Sequence, residues 1–348
     1  MSSTESPDAA TAAALPVPPA GSGAPDELVE RLTLVSPPRL TMAVRTPAAR
    51  PGAPADAAAP AREPALYVHG LGGSSQNWSA LMPLLADRLD GAAIDLPGCG
   101  ESPPPQDGNY AVSAQARAVI RYLDAAGRGP VHLIGNSMGG AAATRVAAVR
   151  PDLVRTLTLI SPALPELRPQ RTAMPTALLA VPGVARLFGR LTRDWTPEQR
   201  TREVLALCYG DPSRVTPGGF DAAVEEYARR LELPYFWEVM EESARALVGA
   251  YTLGGQHNLW RQAERVLAPT LLVYGGRDRL VSFRMARRAA AAFRGSRLLT
   301  LPEAGHVAMM EYPDVVARAV RELVDSVAAE PATAAGATGV EQPAANGS

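Results

Sequence analysis

The sequence predicts an α/β fold: a mostly parallel sheet with helices on both faces and a helical insertion. Short apolar runs alternate along the chain with amphipathic helical patterns, and this alternation is typical of a parallel sheet with crossover helices. The alternation stops over 161–261, where the pattern is helical throughout and is divided by Pro/Gly pairs. A length of 348 residues accommodates such a core together with an inserted cap.

The predicted strands are short apolar runs: 66–68, 92–95, 131–135, 156–160, 270–274 and 297–301. The predicted helices carry apolar residues at a spacing of three and four: 76–89, 112–126, 138–149, 284–293 and 314–327. The Ala/Pro-rich stretch 46–64 lies between strand-like segments, and we expect it to be a long loop.

These elements give a simple domain organisation. We expect 27–160 and 262–328 to form the two parts of the core, and 161–261 to form the cap. The end segments 1–26 and 329–348 contain few large apolar side chains that could offset the entropy of ordering, so we expect both to be disordered.

Composition excludes several classes of protein. The 34 basic residues nearly balance the 35 acidic ones, which argues against nucleic acid or an anionic membrane surface as the main partner. All basic residues are arginine, so the chain has neither a Walker A phosphate loop nor a Schiff-base lysine. Two cysteines, Cys99 and Cys208, are too few for a zinc ribbon or an iron–sulfur cluster and suit a reducing compartment.

These observations set expectations about partners and location. The first basic residue is Arg31, so the N-terminal segment lacks the charged start of a signal peptide. The longest apolar-looking stretch is interrupted by Pro175, Pro182 and Arg186, which argues against a membrane span. We expect a cytoplasmic monomer or homodimer with a small-molecule substrate, and with no nucleic-acid or membrane partner.

The most specific motif is a G-x-S-x-G sequence over 135–139, between a predicted strand and a predicted helix. Gly135 and Gly139 permit a turn so tight that Ser137 is lifted above the sheet, at the N-terminus of the following helix. An ordinary glycine-rich turn is the alternative. The strand–turn–helix context favours Ser137 as a nucleophile.

An activated serine needs a base, and the chain has four histidines. His306 lies in a loop after a predicted strand, at the sheet edge that also carries Ser137. The other three are assigned elsewhere: His69 to orienting its own loop, His132 to the packed core, and His257 to a substrate contact in the cap. By elimination, His306 is the predicted base.

The base in turn needs a carboxylate that fixes its tautomer. Asp278 follows a predicted strand at the same sheet edge. A surface salt bridge from Asp278 to Arg277 or Arg279 is the structural alternative. Asp95 also ends a strand, but the Leu-Pro-Gly sequence after it indicates a turn-capping role.

An oxyanion hole needs two preorganised N–H donors. Met138 follows the nucleophile and supplies one. The glycine-rich loop 69–73 follows a predicted strand and should direct the Leu71 N–H to the same point.

Together these motifs resemble the α/β-hydrolase superfamily over residues 27–328. The resemblance rests on HGLGG at 69–73 with Trp78 after it, DLPGCGES at 95–102, GNSMGG at 135–140, YGGRD at 274–278 and AGH at 304–306. The order Ser, Asp, His along the chain also agrees. The resemblance implies an eight-stranded, mostly parallel sheet with a cap inserted after the sixth strand.

The resemblance also excludes some members. Epoxide hydrolases and haloalkane dehalogenases carry aspartate where this chain has Ser137, and proline iminopeptidases usually have H-G-G-P-G at 69–73. The elbow is similar to that of meta-cleavage-product C–C hydrolases. Those enzymes typically have Gly-Pro-Gly where this chain has 71–73, and tryptophan where it has Val307, so C–C hydrolysis is the alternative activity.

The sequence therefore predicts a carboxylesterase-like serine hydrolase that acts through an acyl-enzyme and needs neither metal nor organic cofactor. Ser137, His306 and Asp278 form the predicted triad. The cap should roof a mostly apolar pocket, with three predicted substrate contacts: Trp78, Trp237 and His257. A non-enzymatic binding protein with this fold is the alternative from another class, although such a protein has no need of a complete triad.

Overall fold

The computed structural model describes residues 13–15, 27–34, 38–47, 62–166, 168–252 and 254–328. The strands in this part of the chain are β1 Ala13–Leu15, β2 Glu27–Leu34, β3 Leu40–Pro47, β4 Glu63–Val68, β5 Leu89–Ile94, β6 Val131–Asn136, β7 Val154–Ile160, β8 Thr270–Gly275 and β9 Arg297–Leu301.

The α-helices of the described residues are α1 Met82–Leu85, α2 Val112–Ala126, α3 Ser137–Val149, α4 Met174–Leu178, α5 Val184–Leu191, α6 Pro197–Cys208, α7 Pro217–Leu231, α8 Phe236–Ala250, α9 Leu259–Ala263, α10 Met285–Ala292, α11 Ala308–Glu311 and α12 Pro313–Ala328. Short 3₁₀ turns precede or follow several of them, at Ser75–Trp78, Pro151–Leu153, Arg171–Ala173, Pro212–Arg214 and Gly255–His257.

The strands form one sheet in the order β1-β2-β3-β5-β4-β6-β7-β8-β9. From β5 to β9 all neighbouring strands are parallel, and β1, β2 and β3 extend the sheet in antiparallel fashion. The predicted fold class is confirmed. The eight strands β2–β9 correspond to the predicted sheet, and the cap helices α4–α8 follow its sixth strand, β7.

Two hydrophobic layers cover the sheet, because successive strand residues point to opposite faces. Leu66 and Val68 of β4 pack in one layer with side chains of α2, α3, α9 and α10. Ala65 and Tyr67 of the same strand pack in the other layer, which includes side chains of α1, α11 and α12. The carboxyl ends of the parallel strands are thus held at one edge between two packed layers, where the predicted catalytic residues lie.

The single helix predicted over 76–89 is wrong. The segment instead forms the 3₁₀ turn Ser75–Trp78 and the short helix α1, and Leu89 begins β5. Pro83 stands in the first turn of α1, and a proline cannot continue a helix that began seven residues earlier. Three of the four leucines with helical spacing in this segment are nevertheless buried: Leu81, Leu85 and Leu89. The spacing therefore indicated which side of the chain is buried and not a continuous helix.

Of the predicted tails and loop, only a few residues are described. Within 1–26 the structure describes the strand β1, which pairs with Arg31–Thr33 of β2. The rest of 1–26, the segment 329–348 and residues 48–61 of the predicted loop lie outside the described residues. The loop is bounded by β3 and β4.

Membrane-spanning helices and metal-binding clusters are both absent from the described residues. None of their helices is long and apolar enough to cross a membrane. They also contain no group of three or more His, Cys, Asp or Glu side chains that could hold a metal ion. Cys99 and Cys208 are both unpaired.

Candidate active site

Ser137 lies at the junction of β6 and α3 in a strained backbone conformation. Its φ of 52° is in the left-handed region, which a residue with a side chain rarely adopts. The close approach of β4 explains why residue 139 is a glycine: a Cβ on Gly139 would overlap the carbonyl oxygens of Val68 and His69. The tight turn predicted over 135–139 is therefore present, with Ser137 8% exposed at the sheet edge.

Asp278 and His306 are brought together at the same edge. The Nδ1 atom of His306 lies 2.9 Å from Oδ2 of Asp278. The other carboxylate oxygen, Oδ1, accepts the backbone N–H groups of Leu280 at 2.8 Å and Val281 at 2.9 Å. Because the ionised carboxylate can only accept, Nδ1 is assigned as the protonated nitrogen, which leaves the lone pair of Nε2 free to take a proton.

The Asp278 carboxyl is suited to remain ionised. Burial alone would raise its pKa, but the charge of His306, the hydrogen bond with His306 and the two backbone donors outweigh burial and lower the pKa. The predicted alternative partners are engaged elsewhere. Arg277 pairs with Glu303, and Arg279 donates to the carbonyl of Ala206.

Asn136, the residue before Ser137, joins this turn to the loop that carries His306, which we call the histidine loop. The side-chain amide of Asn136 donates to the carbonyl of Ile160 at 3.0 Å and to that of His306 at 3.1 Å. The carbonyl of Ser137 accepts the N–H of Ala163 at 2.9 Å. One amide thereby fixes the ends of two neighbouring strands relative to the backbone of His306.

The loop 69–73 backs directly onto the elbow: a Cβ on Gly70 would lie 3.0 Å from Cβ of Ser137. His69 holds this loop in place. Its Nε2 accepts the N–H of Leu96 at 3.0 Å, so Nδ1 carries the proton and donates to the carbonyl of Gly70 at 2.8 Å. Burial lowers the pKa of His69, which keeps this arrangement neutral. The loop-orienting role predicted for His69 agrees with these contacts.

The two predicted oxyanion donors, Leu71 and Met138, directly follow Gly70 and Ser137 in the chain. Met138 is fully buried, and as the second residue of α3 its N–H has no partner within the helix. Leu71 is partly buried beside the core layer that contains α3. Their N–H groups belong to two segments that pack against each other through Gly70 and Ser137.

The cap contacts this loop through a cluster of charged side chains on α7, which we call the arginine clamp: Glu226, Arg229 and Arg230. Arg230 donates through Nη1 to the carbonyl of Gly72 and through Nη2 to the Ser74 hydroxyl at 3.2 Å. Arg229 donates to the carbonyl of Gly100 at 2.9 Å.

Glu226 balances both charges of the arginine clamp. Its carboxylate lies 2.7 Å from Nε of Arg229 and 2.7 Å from Nε of Arg230. Burial alone would raise the pKa of Glu226, but the two guanidinium groups outweigh burial and lower it. Removal of one arginine would leave the buried carboxylate paired with the other, at a cost in stability. The clamp therefore ties the cap to the loop that carries Leu71.

A second buried carboxylate ties the cap to the histidine loop. Glu311, which is 2% exposed, accepts the N–H groups of Gly305 at 2.7 Å, Gly210 at 3.1 Å and Asp211 at 2.8 Å. Gly305 precedes the predicted base, and the N–H of His306 itself donates to the carbonyl of Cys208 at 2.7 Å. Cys208 is the last residue of cap helix α6 and residues 209–211 follow it, so the end of that helix helps to position His306.

The three predicted substrate contacts lie in three different parts of the structure. Trp78 is fully buried in the core layer beside Tyr67, with ring centroids 5.4 Å apart, and so is a core side chain. Trp237 packs inside the cap against Phe188 and Phe236, at centroid distances of 5.9 and 4.8 Å. His257 is exposed in a 3₁₀ turn near the end of the cap. In the described part of the chain, none of these three side chains forms a hydrogen bond, an ion pair or a ring contact with Ser137 or His306.

Two further assignments from the sequence agree with the structure. His132 is 1% exposed and lies within hydrogen-bonding distance of Thr156 and Glu63, which makes it a packed core histidine. The Asp95 carboxylate accepts the N–H groups of Ser75 at 2.6 Å and Glu101 at 2.8 Å, so it caps turns.

Sequence reasoning missed the arginine clamp and Glu311. The clamp residues have the i, i+3 and i, i+4 spacing of an ordinary exposed ion pair on a helix, so the sequence alone does not reveal that they reach the core. Glu311 is one acidic residue among many near a helix start. Its burial depends on the packing of α6, which lies 100 residues earlier in the chain.

Comparison with known proteins agrees with this architecture. A family model described as the alpha/beta hydrolase fold matches residues 64–313. A pimeloyl-[acyl-carrier protein] methyl ester esterase of Neisseria meningitidis is 28% identical over 264 residues, which cover 76% of this chain and 77% of that protein. The monoacylglycerol lipase abhd6-B of Xenopus laevis is 24% identical over 281 residues, which cover 75% of each chain.

Among solved structures, a meta-cleavage product hydrolase from Pseudomonas fluorescens IP01 superposes with a TM-score of 0.64 at 19% identity, covering 82% of this chain and 95% of that one. At that identity the likeness concerns the fold alone. The family model, in contrast, spans well over half of the chain and includes the elbow, Asp278 and His306. The chain belongs to the α/β-hydrolase family.

Proposed function

We propose that this protein is a serine esterase that cleaves a carboxylic ester of a small apolar substrate through an acyl-enzyme. The observation that carries the proposal is the hydrogen bond between His306 and Asp278, at the sheet edge where Ser137 is held in a strained turn. Two relatives named as ester hydrolases, the methyl ester esterase and the monoacylglycerol lipase, support an ester as the bond that is cleaved.

In the proposed mechanism, Oγ of Ser137 attacks the ester carbonyl carbon while Nε2 of His306 accepts the hydroxyl proton. The imidazolium that forms is stabilised by the Asp278 carboxylate. The N–H groups of Leu71 and Met138 bind the oxyanion of the tetrahedral intermediate. His306 then returns the proton to the leaving alcohol, and the acyl group remains on Ser137.

Deacylation repeats these steps with water. His306 removes a proton from the water molecule, the resulting hydroxide attacks the acyl carbon, and the acid leaves as Ser137 recovers its proton. All proton transfers use side chains of this chain, and the proposal assigns no metal or organic cofactor. Covalent labelling by a fluorophosphonate at Ser137, located by mass spectrometry, is the direct test.

The apolar pocket that the sequence leads us to expect beneath the cap predicts a substrate-length profile. With p-nitrophenyl esters from acetate to palmitate, we expect kcat/KM to rise about fourfold per CH₂ group, since each buried CH₂ contributes about 0.8 kcal/mol. The rise should stop when the pocket is full and then reverse at long chains. Initial rates below the solubility limit of each ester measure this profile.

The same assay separates the alternative activity. A vinylogous 1,5-diketone of the meta-cleavage type should be turned over much more slowly than the best ester. Rapid turnover of the diketone together with poor ester hydrolysis would instead assign C–C hydrolysis. Labelling of Ser137 without turnover of either substrate would contradict the proposed ester class while leaving the nucleophile in place.

The arginine clamp predicts an effect on catalysis from a residue outside the triad. Arg230→Met removes the hydrogen bond to the Gly72 carbonyl and should loosen the loop that carries the Leu71 N–H. We expect kcat to fall about tenfold, the effect of losing one charge-assisted hydrogen bond, with KM nearly unchanged because the oxyanion forms only in the transition state. Steady-state kinetics on one p-nitrophenyl ester test this.

Arg245 provides a matched control for the clamp. It pairs with Glu241 at 2.8 Å and with Glu242 on the same helix, and its other contact is the carbonyl of Ala180, within the cap. Arg245→Met should therefore leave kcat unchanged. Equal losses of kcat in the two variants would show that any loosening of the cap has this effect and that Arg230 has no positioning role.

A further inference from the structure

The cap exposes a concentration of large apolar side chains. Thirteen such side chains are exposed among the described residues, and seven of them fall within 174–195. They are Met174, Leu178, Val181, Leu187, Phe188, Leu191 and Trp195, and we call this set the apolar ridge. Leu191 is 73% exposed. Single exposed leucines are ordinary on protein surfaces, whereas a concentrated set marks an interaction surface.

An ordinary surface helix buries its bulky apolar side chains, whereas helix α5 exposes them. Its buried side consists of small residues: Ala185 is fully buried, and a Cβ on Gly189 would lie 2.7 Å from the ring of Trp237. Leu187 and Leu191 are four residues apart, so they share one face, and both are exposed. The helix thus packs on the cap through small residues and directs leucines to solvent.

Positive charge accompanies the apolar ridge. Arg186, Arg190 and Arg193 line a cleft of about 660 Å³ on the cap, in which Glu238 is the one acidic lining residue among those described. The segment 168–195 contains five arginines and one acidic residue, Asp194. Two of these arginines form exposed ion pairs, Arg186 with Glu238 at 3.4 Å and Arg193 with Asp194 at 3.6 Å, and Glu241 of α8 accepts the N–H of Gly183 at 2.8 Å. Exposed pairs of this kind are weak, so these guanidinium groups can still bind a phosphate. Exposed leucines next to arginines are the composition of helices that lie in a lipid interface.

We propose that the apolar ridge docks this enzyme onto an anionic lipid surface, with its leucines among the acyl chains and Arg186, Arg190 and Arg193 at the phosphate layer. A fluid acyl layer accepts protruding side chains without a matching cavity. Arginine binds phosphate through several hydrogen bonds at once. The docking concerns where the enzyme works, and it is independent of which bond Ser137 cleaves.

A second copy of the chain fits the ridge less well. A two-fold symmetric contact places the same patch on both partners, so the arginines beside one ridge would face the arginines beside the other. Such like-charge contacts oppose association. An anionic bilayer satisfies the apolar and the charged parts of the surface together.

This proposal differs from the expectation of no membrane partner. That expectation rested on the charge balance of the whole chain and on the interruption of its longest apolar stretch by Pro175, Pro182 and Arg186. The segment proposed here lies inside the cap and is divided by Pro175 and Pro182, so it gives no long periodic pattern. Its amphipathic character becomes visible only when the buried side of α5 is known.

The experiment is flotation of the full chain with vesicles of phosphatidylcholine, alone or with phosphatidylglycerol. We expect the protein to float with the anionic vesicles and to bind neutral ones at least about tenfold more weakly, as three arginines near a charged surface imply. Raising the salt concentration should weaken binding to the anionic vesicles. The variant Leu187→Asp/Leu191→Asp and the variant Arg186→Gln/Arg190→Gln/Arg193→Gln should each lose at least about tenfold in vesicle affinity.

Leu267 gives the matched control, because it is 80% exposed and lies outside the cap. Leu267→Asp should float like the unmodified protein. Thermal unfolding by circular dichroism checks that each variant is folded, and fluorophosphonate labelling in the absence of lipid reports the active site separately. A protein that floats but is not labelled would refute the proposed esterase and leave the docking surface intact.

Four results would overturn the docking proposal. They are no flotation with anionic vesicles, equal binding to neutral and anionic vesicles, unchanged binding of the folded leucine variant, and equal loss in the Leu267 control. A dimer in light scattering that the leucine variant dissociates would assign the ridge to a second copy instead. An acidic protein could instead bind the chain without competing with vesicles, and lose that binding only in the arginine variant. That result would assign the cleft to a protein partner.

Discussion

Replacing Ser137 with alanine is expected to abolish covalent labelling by fluorophosphonates and to lower kcat by about 10⁴- to 10⁶-fold, the range seen when a triad nucleophile is removed. The residual rate would come from the oxyanion donors and from substrate binding. Folding should be preserved, because the Ser137 side chain is small and its backbone is fixed by Asn136 and Ala163. Active-site titration and steady-state kinetics measure the loss.

Ser161 is a close control for this substitution. It directly follows the neighbouring strand β7, is fully buried and also has a positive φ, of 45°. Its hydroxyl has no hydrogen-bond partner among the described residues. Ser161→Ala should therefore retain labelling and turnover. Retention of a tenth or more of the activity in Ser137→Ala, or transfer of the label to Ser161, would show that the nucleophile is wrongly assigned.

The second large effect is expected from Asp278→Asn, at about 10⁴-fold in kcat with little change in KM. The reason lies in the backbone donors. Oδ1 of Asp278 accepts the N–H groups of Leu280 and Val281, so an asparagine would keep its oxygen there and turn its NH₂ group toward His306. Nδ1 would then have to accept, the proton would move to Nε2, and His306 could no longer act as the base.

Glu303→Gln is the control for this variant, since Glu303 lies three residues before His306 and forms a surface ion pair with Arg277. It should leave kcat unchanged. A loss smaller than tenfold in Asp278→Asn would place the orienting carboxylate elsewhere. The measurement is the single-turnover rate of acylation, which isolates the step in which His306 accepts the proton from Ser137.

The sheet, and the meeting of Asp278 and His306 at the edge that carries Ser137, could be predicted from the sequence because each of these residues lies within five residues of the end of a strand. In a parallel sheet the ends of such runs meet at one edge whatever their distance along the chain, so Asp278 and His306 could be placed near Ser137 before any contact was known. That logic does not extend to Trp78. A tryptophan ten residues after the end of β4 has no fixed direction, and here it turns into the core beside Tyr67.

The cap was predictable only as a helical insertion. Amphipathic spacing shows that helices are present, but which side of each helix meets the core depends on packing between segments far apart in sequence. Arg230 and Gly72 are separated by 158 residues, and Glu311 and Gly210 by 101. Neither contact leaves a local pattern. The outward direction of Leu187 and Leu191 was hidden for the same reason, because α5 is short and its small residues are the buried ones.

The two anchoring contacts of the cap have a consequence for protein engineering. Arg230 holds the loop that carries Leu71, and Glu311 holds residues after α6 together with the histidine loop. A graft that replaces 161–261 with the cap of another hydrolase would remove partners of both loops, and we expect such a chimera to lose turnover even if it folds. Helix α5 makes neither contact, so it can be exchanged while the catalytic geometry is retained. Diversification of this enzyme, in the laboratory or in evolution, is therefore expected to concentrate around α5, ahead of both anchors, and to leave α7 and the end of α6 unchanged.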